Sequence, residues 1–210
     1  MRPLVCIGGG GHCKVCIEIA RAGGAFAPVG VLDPTLPPGA LVNGVPVLGG
    51  DGEITRLVRE GVAFLVAVGQ IRDPGPRRRL HDAVTGLGGD LAVIVSPRAT
   101  VADAAKLGPG TLVAHGAVVG PDAVVGEGCI VNTMALVEHD AVIGAHCHLA
   151  TGCRINGGAA VGSGTFIGSG AVVVQGVRLG AGVVLGACSL AISDLPGPGI
   201  YVGTPARRIV

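Results

Sequence analysis

Aliphatic residues recur at every sixth position through the second half of the chain. Sixteen consecutive positions of this series hold Val, Ile or Leu, and the next position, Ala191, breaks it. Neither an α-helix nor an alternating β-strand has this period, but a chain coiling with three flat faces per turn does. The series is Val95, Val101, Leu107, Val113, Val119, Val125, Val131, Val137, Ile143, Leu149, Ile155, Val161, Ile167, Val173, Leu179 and Leu185. It predicts a parallel β-helix of about five coils of about 18 residues.

Two other registers accompany the series. A small residue, mostly Ala, lies two residues before the aliphatic position, and glycine follows it directly at eight positions. We expect small residues at tight corners and glycine where it relaxes the backbone of a turn. Cys129, Cys147 and Cys153 fall in the small-residue register. We therefore interpret them as buried packing residues rather than nucleophiles or metal ligands.

The first third of the chain has a different pattern. Apolar runs at 4–8, 28–33 and 63–69 alternate with helical segments, the first of which ends at a glycine pair. The order β-α-β-α-β-α predicts a small parallel sheet covered by helices, which is half of a Rossmann-like fold. We divide the chain into a βαβαβ domain (1–88), a β-helix (89–192) and a carboxyl-terminal tail (193–210).

A glycine loop joins the first predicted strand to its helix. Gly8 to Gly11 suit backbone amides that approach a phosphate at a helix N-terminus. The dinucleotide fingerprint is incomplete, because Cys13 stands where its third glycine belongs. A mononucleotide or nucleotide-sugar fits this short unit better than NAD. Asp33, after the second strand, is either an acceptor for a ribose or base, or a polar turn residue before Pro34. Cys13 and Cys16 form a C-x-x-C pattern, but no other feature indicates redox chemistry.

Composition excludes several classes of partner. The 210 residues carry a net charge of +1, which does not indicate binding to nucleic acid or to an anionic membrane. The chain shows neither a signal peptide nor a long apolar span. Seven cysteines, an odd number, favour reduced thiols and a cytoplasmic location. The run Arg77, Arg78 and Arg79 is typical of a solvated helix face.

The segment ALVEHDAVIGAHCHLATG (135–152) contains three of the six histidines, His139, His146 and His148. Such clusters indicate either a metal site or acid–base chemistry. His139 and His148 are half a coil apart, so they project from different faces and could share a substrate only between neighbouring subunits. His146 is expected to face solvent or a cofactor. A zinc site built from His115, His139, His146 and His148 across a subunit interface, of the γ-carbonic-anhydrase type, is the competing interpretation.

The segments IGGGGHCKVCIEIA, VLDP, VNTMALVEHDAVIGAHCHLATG and YVGTPARRIV, with the unbroken hexads, resemble the sialic-acid O-acetyltransferase/nucleotide-aminosugar N-acetyltransferase family. The resemblance covers essentially the whole chain. It implies a left-handed β-helix, a homotrimer, acetyl-CoA between neighbouring helices, and a nucleotide-sugar on the amino-terminal domain. No metal is implied. Cytoplasmic synthesis of a lipopolysaccharide or another glycan is the implied context.

The resemblance also implies roles for individual residues. His139 is the expected general base, Asp140 its orienting acid, and Glu138 a neighbour of the sugar amine. The expected substrate-binding residues are Gly10, Gly11, His12 and Asp33. The expected acetyl-CoA-binding residues are His148, Gly157, Ser169, Ala187 and Arg207. Relatives often carry a second acid where this chain has Pro34, which leaves the nucleotide base open between UDP and GDP.

These observations predict an acetyl-CoA-dependent N-acetyltransferase that acts on a nucleotide-linked 4-amino-6-deoxysugar. Imidazole is well matched to general-base catalysis at neutral pH, and Asp140 would hold its useful tautomer. CoA is already a good leaving group, so we expect direct transfer. The alternatives are O-acetylation of sialic acid or another sugar, the zinc enzyme, and a non-catalytic β-helix scaffold.

Overall fold

We describe residues 1–209 of the protein from a computed structural model. The amino-terminal domain contains a mostly parallel sheet with the strand order β3-β4-β2-β1-β5-β6. Its elements are β1 (Arg2–Ile7), α1 (Gly11–Gly23), β2 (Phe26–Leu32), β3 (Leu41–Val42), β4 (Val45–Gly49), a 3₁₀ turn (Asp51–Glu53), α2 (Ile54–Arg59), β5 (Ala63–Val66), α3 (Gly75–Thr85) and β6 (Asp90–Leu91). The predicted parallel sheet is thus present.

The antiparallel hairpin of β3 and β4 was not among the predicted elements. Asn43 and Gly44 form its turn with φ angles of 47° and 74°. A two-residue type I′ turn requires positive φ at both of its central residues. Asn-Gly between two apolar residues is the strongest sequence signal for such a hairpin. The hairpin was therefore detectable from the sequence.

The C-x-x-C cysteines belong to the core of this domain. Cys13 and Cys16 are fully buried on α1 beside Cys6 of the central strand β1. Burial raises the pKa of the Cys16 thiol well above its usual range. A thiol that stays protonated is a poor nucleophile, which argues against a redox role for Cys16. Cys13 is equally buried in the core, so both cysteines act here as packing residues.

The β-helix follows as a series of very short strands at six-residue intervals. The first eight are β7 (Ile94–Val95), β8 (Thr100–Val101), β9 (Lys106–Leu107), β10 (Leu112–Val113), β11 (Val118–Val119), β12 (Val124–Val125), β13 (Ile130–Val131) and β14 (Leu136–Val137). The next nine are β15 (Val142–Ile143), β16 (His148–Leu149), β17 (Arg154–Ile155), β18 (Ala160–Val161), β19 (Phe166–Ile167), β20 (Val172–Val173), β21 (Arg178–Leu179), β22 (Val183–Leu185) and β23 (Leu190–Ala191).

These strands stack into three parallel sheets, which form the faces of a left-handed prism. The first face starts with β7, the second with β8 and the third with β9. Residues 18 apart pair in register, as Val113 does with Val131. The predicted aliphatic series fills the single core of the prism. The predicted fold class and hexad register are confirmed.

The break at Ala191 does not end the stack. β23 still pairs with β20 and buries Ala191, and the tail then adds β24 (Gly199–Val202) and β25 (Arg207–Arg208). β24 lies parallel to β22, and β25 returns antiparallel to β24. A smaller inward residue is sufficient where the tail covers the end of the core. Within residues 1–209, no helix combines the length and apolar character that crossing a bilayer requires.

The predicted reason for the eight corner glycines was wrong. None of them has the left-handed backbone; that conformation occurs two residues later, as at Asp122 and Gly128. A Cβ added to seven of the eight would lie 2.3–2.8 Å from a backbone nitrogen one coil further on. These glycines are therefore required by the close approach of successive coils. They are Gly108, Gly120, Gly126, Gly144, Gly162, Gly168 and Gly180.

One corner carries a ladder of buried side-chain donors. Thr111, Cys129, Cys147 and Thr165 lie one coil apart and are fully buried. Each donates to a backbone carbonyl fifteen residues further along, at distances of 2.8–3.2 Å. The interpretation of Cys129 and Cys147 as packing residues is confirmed, with the addition that their thiols satisfy buried carbonyls. Cys153, at another corner, is equally buried.

The amino-terminal domain covers the first face of the prism. Ile94, Leu112 and Ile130 point outward from this face and join the core of the amino-terminal sheet. His148 and Phe166 continue the same outward row, because their strands pair in register with that of Ile130. We call the contact between the domain and this row the domain seam.

Candidate active site

His139 and Asp140 form a hydrogen-bonded pair on the turn after β14. His139 Nδ1 lies 2.8 Å from Asp140 Oδ2, and both side chains are more than half exposed. The hydrogen bond with Asp140 raises the pKa of the imidazole, and the charge of Glu138 adds to this effect. Because a carboxylate can only accept, Nδ1 carries the proton and Nε2 keeps its lone pair. This is the tautomer that a general base needs.

The backbone of the turn fixes this pair. Asp140 has a φ of 59°, a left-handed conformation that Asp and Asn tolerate better than other non-glycine residues. Its N–H donates to the Pro121 carbonyl of the coil before, and the His139 carbonyl accepts from Gly158 of the coil after. The dyad is thus anchored by main-chain bonds on both sides, although its side chains face solvent.

Gly157 lies directly against the imidazole, one coil after His139. A Cβ on Gly157 would lie 2.5 Å from His139 Nε2, so any side chain would displace the ring. Among the residues that the structure describes, no acceptor pairs with the Gly157 N–H. An unpaired N–H beside a free imidazole lone pair is an arrangement suited to stabilising a developing oxyanion next to a base.

His148 has a different environment in the domain seam. Its Nδ1 donates to the Gln70 carbonyl at 2.7 Å, and its Nε2 accepts from Asn132 Nδ2 at 3.2 Å. Phe166, the next residue of the outward row, packs edge-on against the ring. Burial lowers the pKa of His148 to about 4. His148 is therefore a neutral imidazole with both nitrogens engaged within its own chain.

His12, from the glycine loop, approaches His148 with 6.3 Å between the ring centroids. Its Nε2 is buried without a partner among the described residues. Burial, followed by the proximity of His148 and Arg77, lowers the pKa of His12 to about 4. The seam thus connects the start of α1 to the first face of the prism.

The nucleotide-binding candidates converge around the glycine loop. Asp33 Oδ2 accepts from the Gly9 N–H at 2.7 Å, and Oδ1 accepts from the Thr35 N–H and hydroxyl. Burial opposes ionisation of Asp33, but these hydrogen bonds outweigh it and lower its pKa. An added Cβ on Gly10 or Gly11 would meet nothing, so open space lies over the start of α1. A cavity of about 250 Å³ adjoins the loop, lined by Gly8, Asp33, Thr35, Asp51 and Leu80 among others.

The remaining acetyl-CoA candidates are separate from this loop. Ser169 and Ala187 are exposed and stacked at one corner of the prism, and Arg207 is exposed on β25. Ser169 and Ala187 lie at the opposite edge of the second face from His139, and β25 lies at the end of the first-face sheet. Within one chain, the structure brings His139 to Gly157 and His12 to His148, but it does not bring His139 to His148.

Two sequence-based expectations were wrong. Arg77 is not solvated: it is 2% exposed, and its guanidinium donates to the Gly128 carbonyl. His146 does not face solvent, because it packs edge-on against His81 of α3. His115, which the competing zinc interpretation includes, has its Nδ1 2.7 Å from the Ser96 hydroxyl oxygen.

Comparisons with known proteins agree with this geometry. The family model of the PglD N-terminal domain matches residues 3–84. The acetyltransferase domain of PglB from Neisseria gonorrhoeae FA1090 is 35% identical over 100% of both chains, with a TM-score of 0.93. A structure of that domain in complex with acetyl coenzyme A is 34% identical over 99% of both chains, with a TM-score of 0.92.

PerB from Caulobacter crescentus, solved in complex with CoA and GDP-perosamine, is 36% identical over 100% of this chain and 98% of its own, with a TM-score of 0.90. Curated protein sequences contain no match. The solved relatives thus cover the βαβαβ domain, the β-helix and the tail together. The chain is an acetyltransferase and belongs to the sialic-acid O-acetyltransferase/nucleotide-aminosugar N-acetyltransferase family.

Proposed function

We propose that the protein transfers the acetyl group of acetyl-CoA to the amino group of a nucleotide-linked 4-amino-6-deoxysugar. The observation that carries this proposal is the pair His139–Asp140 with its free Nε2 beside the unpaired N–H of Gly157. Acetyl transfer to an amine needs both a base and an oxyanion donor at neighbouring positions. The acetyl-CoA bound to the PglB domain supports the donor.

In the proposed reaction, the sugar amine attacks the thioester carbonyl and His139 Nε2 takes a proton from the attacking nitrogen. Asp140 stabilises the imidazolium that forms. The Gly157 N–H stabilises the oxyanion, and the C–S bond then breaks to release CoA, which takes up a proton. No covalent enzyme intermediate is required. Glu138, half-buried beside His139, is placed to orient the sugar amine.

The glycine loop supports a nucleotide-linked rather than a free sugar. Open space above Gly10 and Gly11 at the N-terminus of α1 suits a pyrophosphate, because backbone N–H groups there favour anions. Asp33 and His12 border this space. The GDP-perosamine bound to PerB is a substrate of the proposed chemical class.

We further infer a homotrimer with active sites between subunits. His139 follows a strand of the second face, whereas Ser169 and Ala187 follow strands of the first, so one chain does not bring these residues to one substrate pair. The outward rows of the second and third faces include exposed Val118, Val124 and Val142, which a neighbouring prism could cover. Ser169, Ala187 and Arg207 would then contact the CoA bound between subunits. We assign the enzyme to cytoplasmic synthesis of a lipopolysaccharide or related glycan.

The test is a thiol-release assay with acetyl-CoA and a panel of acceptors. The panel contains UDP- and GDP-linked 4-amino-6-deoxysugars, the matching 4-hydroxy sugars, and free sialic acid. Turnover restricted to a nucleotide-linked aminosugar supports the proposal, and the preferred base identifies the nucleotide. Turnover on sialic acid alone would replace it with O-acetylation. No release with any acceptor would contradict it.

A further inference from the structure

A second histidine cluster lies outside the candidate active site, where α3 meets a corner of the prism. His81 of α3 and His146 of the β-helix pack edge-on with ring centroids 4.8 Å apart. Glu127, one coil before His146, brings a carboxylate oxygen within 3.9 Å of His146 Nε2. One ligand atom from each of the three residues lies within 4.8 Å of the other two.

His146 occupies a position where this corner otherwise has glycine. The equivalent residues of the coils on either side, Gly110, Gly128, Gly164 and Gly182, all have positive φ, and His146 adopts the same conformation at 57°. A left-handed histidine costs backbone energy that a glycine would not. The His146 ring folds back over Gly128, where a Cβ would lie 2.5 Å from its Nδ1. The chain thus uses a strained residue to place this imidazole.

Both imidazoles are buried with a nitrogen that makes no hydrogen bond. His81 is 3% exposed and His146 is 5% exposed. Within residues 1–209, neither His81 Nε2 nor His146 Nδ1 has a partner. Buried nitrogen atoms are normally satisfied, so such pairs require an explanation. Glu127 is half exposed and provides both a negative charge and a route from solvent.

We propose that His81, Glu127 and His146 bind a divalent transition metal, with zinc as the best match, and that the metal joins α3 to the β-helix. Two imidazoles and a carboxylate with one water complete a tetrahedral zinc site. Ligand atoms around zinc are about 3.4 Å apart for bonds of ~2.0–2.1 Å. Ligand atoms that lie up to 4.8 Å apart would have to approach one another by up to about 1.4 Å, to which rotation of the exposed Glu127 side chain can contribute. This site is independent of the proposed reaction.

The surrounding charges set limits on the metal. Arg77 is buried nearby, and both Arg77 and Arg78 act electrostatically on His146. These cations oppose metal binding, so we expect weaker affinity than in a cysteine-rich site. The ligand set itself selects among metals. Ca²⁺ and Mg²⁺ need several oxygen ligands, and this cluster has one carboxylate, whereas neutral imidazoles suit zinc and similar transition metals.

The test uses the full-length protein stripped with a chelator, dialysed against zinc alone, and measured for metal content. The wild type should retain one zinc per chain, and its thermal midpoint should rise with zinc. His146→Gly places at this position the residue that the corner otherwise uses, so it should fold without strain. It should weaken zinc binding by more than about 100-fold, because even outer-shell changes cost 10–100-fold. Cobalt should give the visible absorption of a four-coordinate site in the wild type only.

His115→Ala is the matched control, because it removes a histidine outside the cluster and should leave zinc binding unchanged. Glu127→Ala provides a second variant at an exposed position, where the next coil has Ala145 and the coil three turns further on has Ala181. Acetyl transfer should persist in His146→Gly. Failure of the wild type to retain zinc would overturn the proposal, as would equal retention by His146→Gly and Glu127→Ala.

Discussion

His139 and His148 lie half a coil apart on the same prism, yet their surroundings shift their pKa values in opposite directions. At the exposed corner, the bond with Asp140 raises the pKa of His139. In the domain seam, burial lowers the pKa of His148 to about 4. His139 keeps a free Nε2, whereas both nitrogens of His148 are occupied. Only the solvent-facing His139 thus has the free nitrogen that the proposed general base requires, whereas His148 bonds the Gln70 carbonyl of the amino-terminal domain.

The largest expected effect comes from removing the base itself. His139→Asn should lower kcat by about 10²–10⁴-fold, because a positioned general base contributes that much, with little change in the KM for acetyl-CoA. Thiol release under saturating substrates measures it. His115→Asn, at a distant turn, should match the wild type. Near-normal turnover of His139→Asn would assign the base elsewhere and remove the contrast with His148.

A smaller loss should follow from displacing the ring without removing it. Gly157→Ala puts a methyl group where only 2.5 Å separate it from His139 Nε2. We expect kcat to fall by about 10²-fold, since a misplacement of about 1 Å can cost that much. The fold should persist, because Ala145, Ala181 and Ala187 occupy the same turn position. Gln175→Ala, one coil beyond Gly157, is the control, and an equal loss there would refute the steric explanation.

Replacing Asp140 should shift the acid limb of the pH profile of kcat/KM. Asp140→Asn keeps a residue that tolerates the left-handed φ of 59° but loses the negative charge. Because the hydrogen bond with Asp140 raises the His139 pKa, its loss should move the acid limb of kcat/KM to lower pH. We also expect kcat to fall at the optimum, because Asn neither holds the useful tautomer of His139 nor stabilises its imidazolium. An unmoved limb would mean that His139 does not set it.

The domain seam should show its effect in stability rather than in catalysis. His12 and His148 titrate near 4 when folded, against about 6.5 when unfolded. Between these values the unfolded chain binds more protons, so stability falls as the pH is lowered from 6.5 towards 4. The two groups together give a slope of at most about 2.7 kcal/mol per pH unit. No effect is expected above pH 7.

Denaturant unfolding across this pH range measures the slope. His148→Gln should roughly halve it, while His115→Gln should leave it unchanged. A slope that does not change in His148→Gln would show that the seam histidine is not held neutral by folding.

The sequence alone determined the prism. An uninterrupted period of six leaves one inward position per face, and the register of Val113 on Val131 follows from that arithmetic. It also identified the His139–Asp140 pair, because neighbouring residues on a turn must lie close together. The Asn43–Gly44 hairpin was readable in the same local way and was missed.

Only the tertiary structure decided what covers each face. Glu127, His146 and His148 all lie outside the inward register of the repeat, but the packing of α3 and of the loop after β5 buries the two histidines and leaves Glu127 half exposed. The same packing buries Arg77, which looks like part of a solvated charge run in the sequence. The six-residue period predicts on which side of a strand a residue lies. Burial, pKa and partner atoms depend on segments distant in the chain, and these are brought together only when the amino-terminal domain docks on the first face.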